Sequence, residues 1–113
     1  MDTQTQYKTF ADLDFNTREW DNAQVATLDL GNDITISGVG GTSGLYGDGI
    51  ETWEIAFFQD GDFLPLSKFD DVLGWQTEAD VTRHMRDAQV NGNAWVQLLK
   101  EIRAEFRKEM DLD

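Results

Sequence analysis

The stretch AQVATLDLGNDITI, Ala23–Ile36, decides how the chain is read. Ala26, Leu28 and Leu30 fall on one side of an extended backbone, and Val25, Thr27 and Asp29 on the other. A period of two is the mark of a half-buried strand. Gly31-Asn32-Asp33 then forms a turn cluster, and alternation resumes at Ile34-Thr35-Ile36. Two such runs around a turn predict a β-hairpin.

Downstream, Gly38 to Gly49 holds six glycines in twelve residues and reads as a flexible loop. Ile50 to Phe58 reads as a strand, with Glu51, Trp53, Ile55 and Phe57 on one face and Thr52, Glu54 and Ala56 on the other. Asp60-Gly61 is a tight-turn pair, and Phe63–Leu66 reads as the return strand. Pro65 cannot donate a ladder hydrogen bond, so that strand is placed at an edge. Upstream, Asn16–Asn22 reads as a polar connection. Phe10, Leu13 and Phe15 are the first apolar anchors, in a short strand or turn. Residues 1–8 read as a flexible arm, ahead of a single domain over 9–113.

After Trp75 the period becomes helical. Thr77 and Asp80 form a capping box with Asp in place of Glu, and Val81, Met85 and Ala88 recur at helical spacing. Asn91-Gly92 supplies a stop, and Asn93 reads as the cap of a second helix. Trp95, Leu98, Leu99, Ile102 and Phe106 make its apolar stripe. The expectation is an α+β domain. A small antiparallel sheet of about four to five strands, over residues ~10–67, precedes two C-terminal helices, ~78–91 and ~94–110, packed on one face.

The 113 residues carry 22 acidic and 9 basic side chains, one His and no Cys, for a net charge of −13. Such a chain repels phosphate backbones and anionic membrane surfaces, so direct nucleic-acid and membrane binding are not expected. Absence of Cys removes disulfides, Cys-ligated zinc and thiol nucleophiles. Ile55–Phe58 is the longest apolar run, far below the ~20 residues of a membrane span. Met1–Phe10 lacks a signal-peptide core, and a cytoplasmic protein is expected. The charge is uneven: −11 lies within residues 1–76 and −2 beyond. From Glu19 to Ser67 there are nine acids and no Lys or Arg. Three readings compete. Excess carboxylates serve solubility, they adapt a protein to high salt, or they copy a nucleic acid for a basic protein. Alternate strand residues sit roughly 6.6–6.8 Å apart, close to the spacing of every second phosphate.

Catalytic chemistry finds little support. His84 is the only histidine and lies at the margin of a helical stripe, where a half-buried structural role suffices. Ser37, Ser43 and Ser67 lack a nucleophile-elbow pattern. Asp60-Gly61-Asp62 and Asp70-Asp71 match no calcium-loop spacing. Gly38–Gly44 lacks the Gly-Lys-Ser/Thr ending of a phosphate loop. Four Trp invite a sugar-binding reading. Trp53 and Trp95 fall on core faces, Trp75 is placed to staple the first helix to the sheet, and only Trp20 reads as exposed. No catalytic residue, metal or cofactor is assigned.

Segment order resembles small proteins of unknown function encoded by tailed bacteriophages. The resemblance covers residues 9–90 and rests on Thr9–Phe15, Gly44-Leu45-Tyr46, Asp60-Gly61, and Asp71–Trp75 leading into Thr77–Val81. It implies a phage accessory protein acting in the host cytoplasm and transfers no catalytic residue. The resulting expectation is a non-enzymatic protein that occupies a basic protein surface. A nucleic-acid-binding host factor or a defence nuclease would be such a target. The contributors expected are Asp29, Asp33, Asp48, Glu51, Glu54, Asp60 and Asp62, with Trp20 and Tyr46 as aromatic contacts. Alternatives are a homodimer through surplus apolar residues such as Met110 and Leu112, and an enzyme built on a carboxylate pair.

Overall fold

A computed structural model describes residues 7–41, 46–67 and 70–110. The chain is an α+β fold: a six-stranded antiparallel sheet followed by two helices. A 3-10 helix, Phe10–Asp12, opens it, closed by a Thr9/Asp12 capping box. The strands are β1 (Asn16–Thr17), β2 (Gln24–Gly31), β3 (Ile34–Gly40), β4 (Trp53–Gln59), β5 (Asp62–Phe63) and β6 (Val72–Gln76). The helices are α1 (Glu78–Asn91) and α2 (Asn93–Glu109). Strand order is β1-β2-β3-β4, and β4 pairs on its far side with β5 at one end and β6 at the other.

The expected hairpin forms, with Leu28 opposite Ile36 and Ala26 opposite Gly38. Asn32 and Asp33 both adopt positive φ, 55° and 63°, the conformation of a type I′ turn. Register across the sheet aligns Leu28, Ile36 and Phe57 in one inner row. Ile34, Ile36, Ile55, Phe57, Leu64, Val81 and Met85 are almost fully buried between this face and the helices. Each such side chain contributes roughly 1.5–3 kcal/mol on leaving water. The Thr77/Asp80 capping box starts α1, and Gly92, at φ 49°, ends it.

Several boundaries differ from expectation. Gly38 and Gly40 belong to β3 rather than to a loop. The Phe15 ring packs over Gly38, 3.5 Å from where a Cβ would sit, an ordinary van der Waals distance. β4 begins at Trp53, because Ile50 is 78% exposed and belongs to the preceding loop. β5 is only two residues long: Leu64 turns inward to donate to the Phe57 carbonyl (2.8 Å) and the strand ends before Pro65. β1 falls within the expected polar connection, and β6 replaces an expected lead-in to the helix. Gly92, not Asn93, caps α2; the Asn93 side chain instead accepts from Gln59 Nε2 at 3.0 Å. Only Trp95 and Val96 of α2 are buried, while Leu98 and Ile102 of the expected stripe are exposed.

Lys8, at the end of the expected arm, exchanges two 2.8 Å hydrogen bonds with Gln89 of α1. Residues 1–6 of the arm, Thr42–Leu45 of the glycine loop, and Leu112 lie outside the described residues. No helix is long and apolar enough to cross a membrane, among the described residues.

Candidate functional site

The helices take the inner sheet face, so the outer face is defined by the opposite register. Its rows are Val25–Val39–Glu54, Thr27–Ser37–Ala56–Val72 and Asp29–Thr35–Phe58–Phe63. The Phe58 and Phe63 rings pack together, centroids 4.5 Å apart and planes tilted by 45°. Only two of the expected acids, Asp29 and Glu54, lie on this face, and they sit at diagonally opposite corners. No row of alternate carboxylates runs along any described strand. The expected acids gather instead at the two ends of the sheet.

The first end holds the tight turns. Asp33 ends the β2–β3 turn, and Asp60-Gly61, with φ of 53° and 86°, joins β4 to β5. The Asp60 N–H donates to the Asp33 carbonyl at 3.3 Å, so the two turns are neighbours. Asp62 follows directly. Asp29 Oδ1 accepts from Gly31 N–H at 2.9 Å, beside the register shift in β2. All four acids are exposed.

The second end is built by residues 46–52. Asp48 Oδ1 accepts the N–H groups of Ile50, Glu51 and Thr52 at 2.8, 2.8 and 3.0 Å. These donors, Ile50 first, hold its pKa down to about 2. Asp48 therefore organises the loop as well as carrying charge. Gly47 lies so close to β4 that a Cβ there would meet the Trp53 Cα at 2.6 Å. The Tyr46 N–H donates to Glu54 Oε1 (3.1 Å), and its carbonyl accepts from Trp75 N–H (2.6 Å). Tyr46 and Trp75 meet edge to face, centroids 6.5 Å apart, and both are exposed, at 59% and 60%. Trp75 is thus no staple between helix and sheet, because its positive φ of 56° turns it outward.

Trp20 is 78% exposed, as expected. It lies in the β1–β2 connection, at the same end of the sheet but toward the opposite edge. Arg18 lies over its ring at 4.2 Å and forks onto Asp21 through Nε (2.9 Å) and Nη2 (2.6 Å). That pairing lowers the Asp21 pKa and raises that of Arg18.

Trp75 was missed as a surface residue for an identifiable reason. Gly74-Trp75 breaks the alternation that betrays a strand, and the backbone there follows a register shift against β4. Gly74 was the available signal. A Cβ on it would meet Tyr46 Cβ at 2.4 Å, so the glycine admits the Tyr46 segment beside β6.

Elsewhere, His84 is half-buried on α1, and burial, then the neighbouring Arg83, lowers its pKa. An open groove of about 560 Å³ lies between the 3-10 helix and α1. Glu78 is its one carboxylate, beside Arg83 and Arg86. A smaller hollow of about 160 Å³ on α2 is lined by Glu105 and Glu109 with Ile102 and Phe106. Among the described residues no group of three or more His, Asp or Glu is placed to hold a metal ion. No family model, curated protein or solved structure matches the chain.

Proposed function

We propose that this protein binds a basic surface on a partner protein through carboxylates at the two ends of its sheet. One observation carries this. Among the described residues the ion pairs are Arg18–Asp21, Arg83–Asp80 and Arg103–Asp71. None involves Asp29, Asp33, Asp48, Glu51, Glu54, Asp60 or Asp62. Six of these seven are exposed and Glu54 is half-buried. Mutual repulsion of uncompensated charge destabilises the fold and is relieved when a cationic surface covers it. A complementary field also accelerates encounter and rejects acidic competitors.

The resemblance to phage accessory proteins extends the proposal to a partner in host or phage nucleic-acid metabolism, met in the cytoplasm. Nucleic-acid mimicry is its narrower form. The two-ended placement favours the broader form, since a phosphate-like row along one strand is what a groove would read.

The test is affinity capture from host cells in low and high salt. It compares the native chain with a variant carrying Asp33→Asn, Glu51→Gln, Glu54→Gln, Asp60→Asn and Asp62→Asn. A basic partner retained by the native chain in low salt, and lost both in high salt and with the variant, is the expected result. A partner retained equally by the folded variant refutes the proposal.

A further inference from the structure

We propose that Tyr46, Trp75 and Glu54 form a receptor for a single arginine side chain of the partner. The inference rests on the basic-partner reading above and assigns that reading a specific contact.

Two exposed aromatic side chains in mutual contact and one half-buried carboxylate are joined through a single backbone segment. The Tyr46 backbone ties the three residues together, donating to Glu54 and accepting from Trp75. A carboxylate has about four lone-pair sites, so Glu54 retains acceptor capacity after binding Tyr46 N–H. An aromatic face attracts a cation within roughly 6 Å of its centroid, and Arg does this more often than Lys. A guanidinium also offers a planar fork that fits a carboxylate while its face stacks on an aromatic ring.

The molecule already contains this arrangement once. Arg18 stacks over Trp20 while its fork grips Asp21. The Tyr46–Trp75–Glu54 group repeats the indole and the carboxylate and lacks the cation. Among the described residues no Lys or Arg pairs with Glu54. The sequence contains none from Glu19 to Ser67. Asp48 and Glu51 add negative charge at the same end, which selects a cationic occupant over a neutral apolar one. The positive φ of Trp75 adds a cost that a bulky residue rarely bears.

The probe is a short peptide of alternating glycine and arginine, with a glycine–lysine peptide and a neutral oligosaccharide as comparisons. The readout is the side-chain indole N–H resonances of the four Trp, assigned by single Trp→Phe variants. The arginine peptide should move the Trp75 resonance saturably and more tightly than the lysine peptide. Tyr46→Leu, read at the Trp75 resonance, and Trp75→Ala, read at the backbone amides of residues 46–54, should each weaken that binding roughly two- to thirty-fold. Glu54→Gln should weaken it in the same direction, while Asp60→Asn with Asp62→Asn should leave the Trp75 response intact. Backbone amide spectra confirm that each variant is folded, and Tyr46→Leu, read at Trp75, serves if Trp75→Ala is not.

If the arginine peptide shifts only amides around Asp33 and Asp60, the receptor is refuted and the basic-partner reading stands. A Trp75 shift produced by the oligosaccharide and not by the arginine peptide refutes it in favour of a sugar site. Absence of any shift in low salt refutes both readings.

Discussion

The two ends of the sheet carry similar charge and are built differently. At one end Asp33 and Asp60 occupy tight turns, where Asp is favoured because its short side chain tolerates positive φ. At the other, Asp48 gathers three N–H groups, glycines admit close backbone contacts, and two aromatic rings are held in solvent. At the first end turn chemistry accounts for Asp33 and Asp60, and its four acids are exposed. The second spends its local order on presenting Tyr46, Trp75 and Glu54. Acidic residues of equal formal charge therefore differ in what surrounds them, and the surroundings separate the turns from the proposed recognition element.

Glycine replacements sharpen the contrast most. Gly47→Ala would drive a Cβ into the Trp53 backbone, at a cost of roughly 3 kcal/mol, the upper part of the range for overpacking. Gly61→Ala meets open space and bears only the left-handed backbone penalty, about 1–2 kcal/mol. Denaturant unfolding of the two variants measures both. Equal, small losses would show that the loop is not seated on β4 as described.

Acid stability comes next. The folded pKa of Asp48, about 2, lies below the ordinary carboxylate value, so the unfolded chain binds the proton more readily. Its contribution is complete above the unfolded pKa and disappears as pH falls from near 4 toward 2. Asp48→Ala should lower stability at neutral pH and flatten the stability profile in that window. Asp48→Asn keeps an acceptor oxygen and should lose less. A profile unchanged by Asp48→Ala would remove the loop-organising role.

A smaller effect is expected at Trp75. Asn tolerates the left-handed conformation better, so Trp75→Asn should leave stability unchanged or raise it by roughly 0.5–1 kcal/mol. Partner affinity should fall in the same variant, separating function from folding. Thermal unfolding beside a binding measurement checks this. A large loss of stability would make Trp75 a structural residue.

What could be read beforehand follows from how each element announces itself. The Ala26–Leu30 alternation and the Thr77/Asp80 box are local signals, and both formed as expected. β6 was hidden because Gly74 and Trp75 interrupt its period, and its pairing with β4 is a tertiary fact. Leu98 and Ile102 followed helical spacing correctly, yet periodicity does not say whether a neighbour covers the stripe. For the site, the acids and Tyr46 were legible as candidates. Their division between two ends depends on strand direction, and the partnership of Tyr46 with Trp75 on a contact between segments nearly thirty residues apart.

The most direct test of the basic-partner account is the affinity of the partner retained in low salt, measured across a salt series. Three proteins are compared: the native chain, a loop-end variant (Glu51→Gln, Glu54→Gln) and a turn-end variant (Asp33→Asn, Asp60→Asn, Asp62→Asn). Affinity should fall as salt rises, because exposed charges are screened beyond about 8–10 Å at physiological ionic strength. Both variants should bind more weakly with a shallower salt dependence. The loop-end variant should lose more although it removes fewer charges. Affinity that is flat with salt and equal in all three proteins would contradict the account.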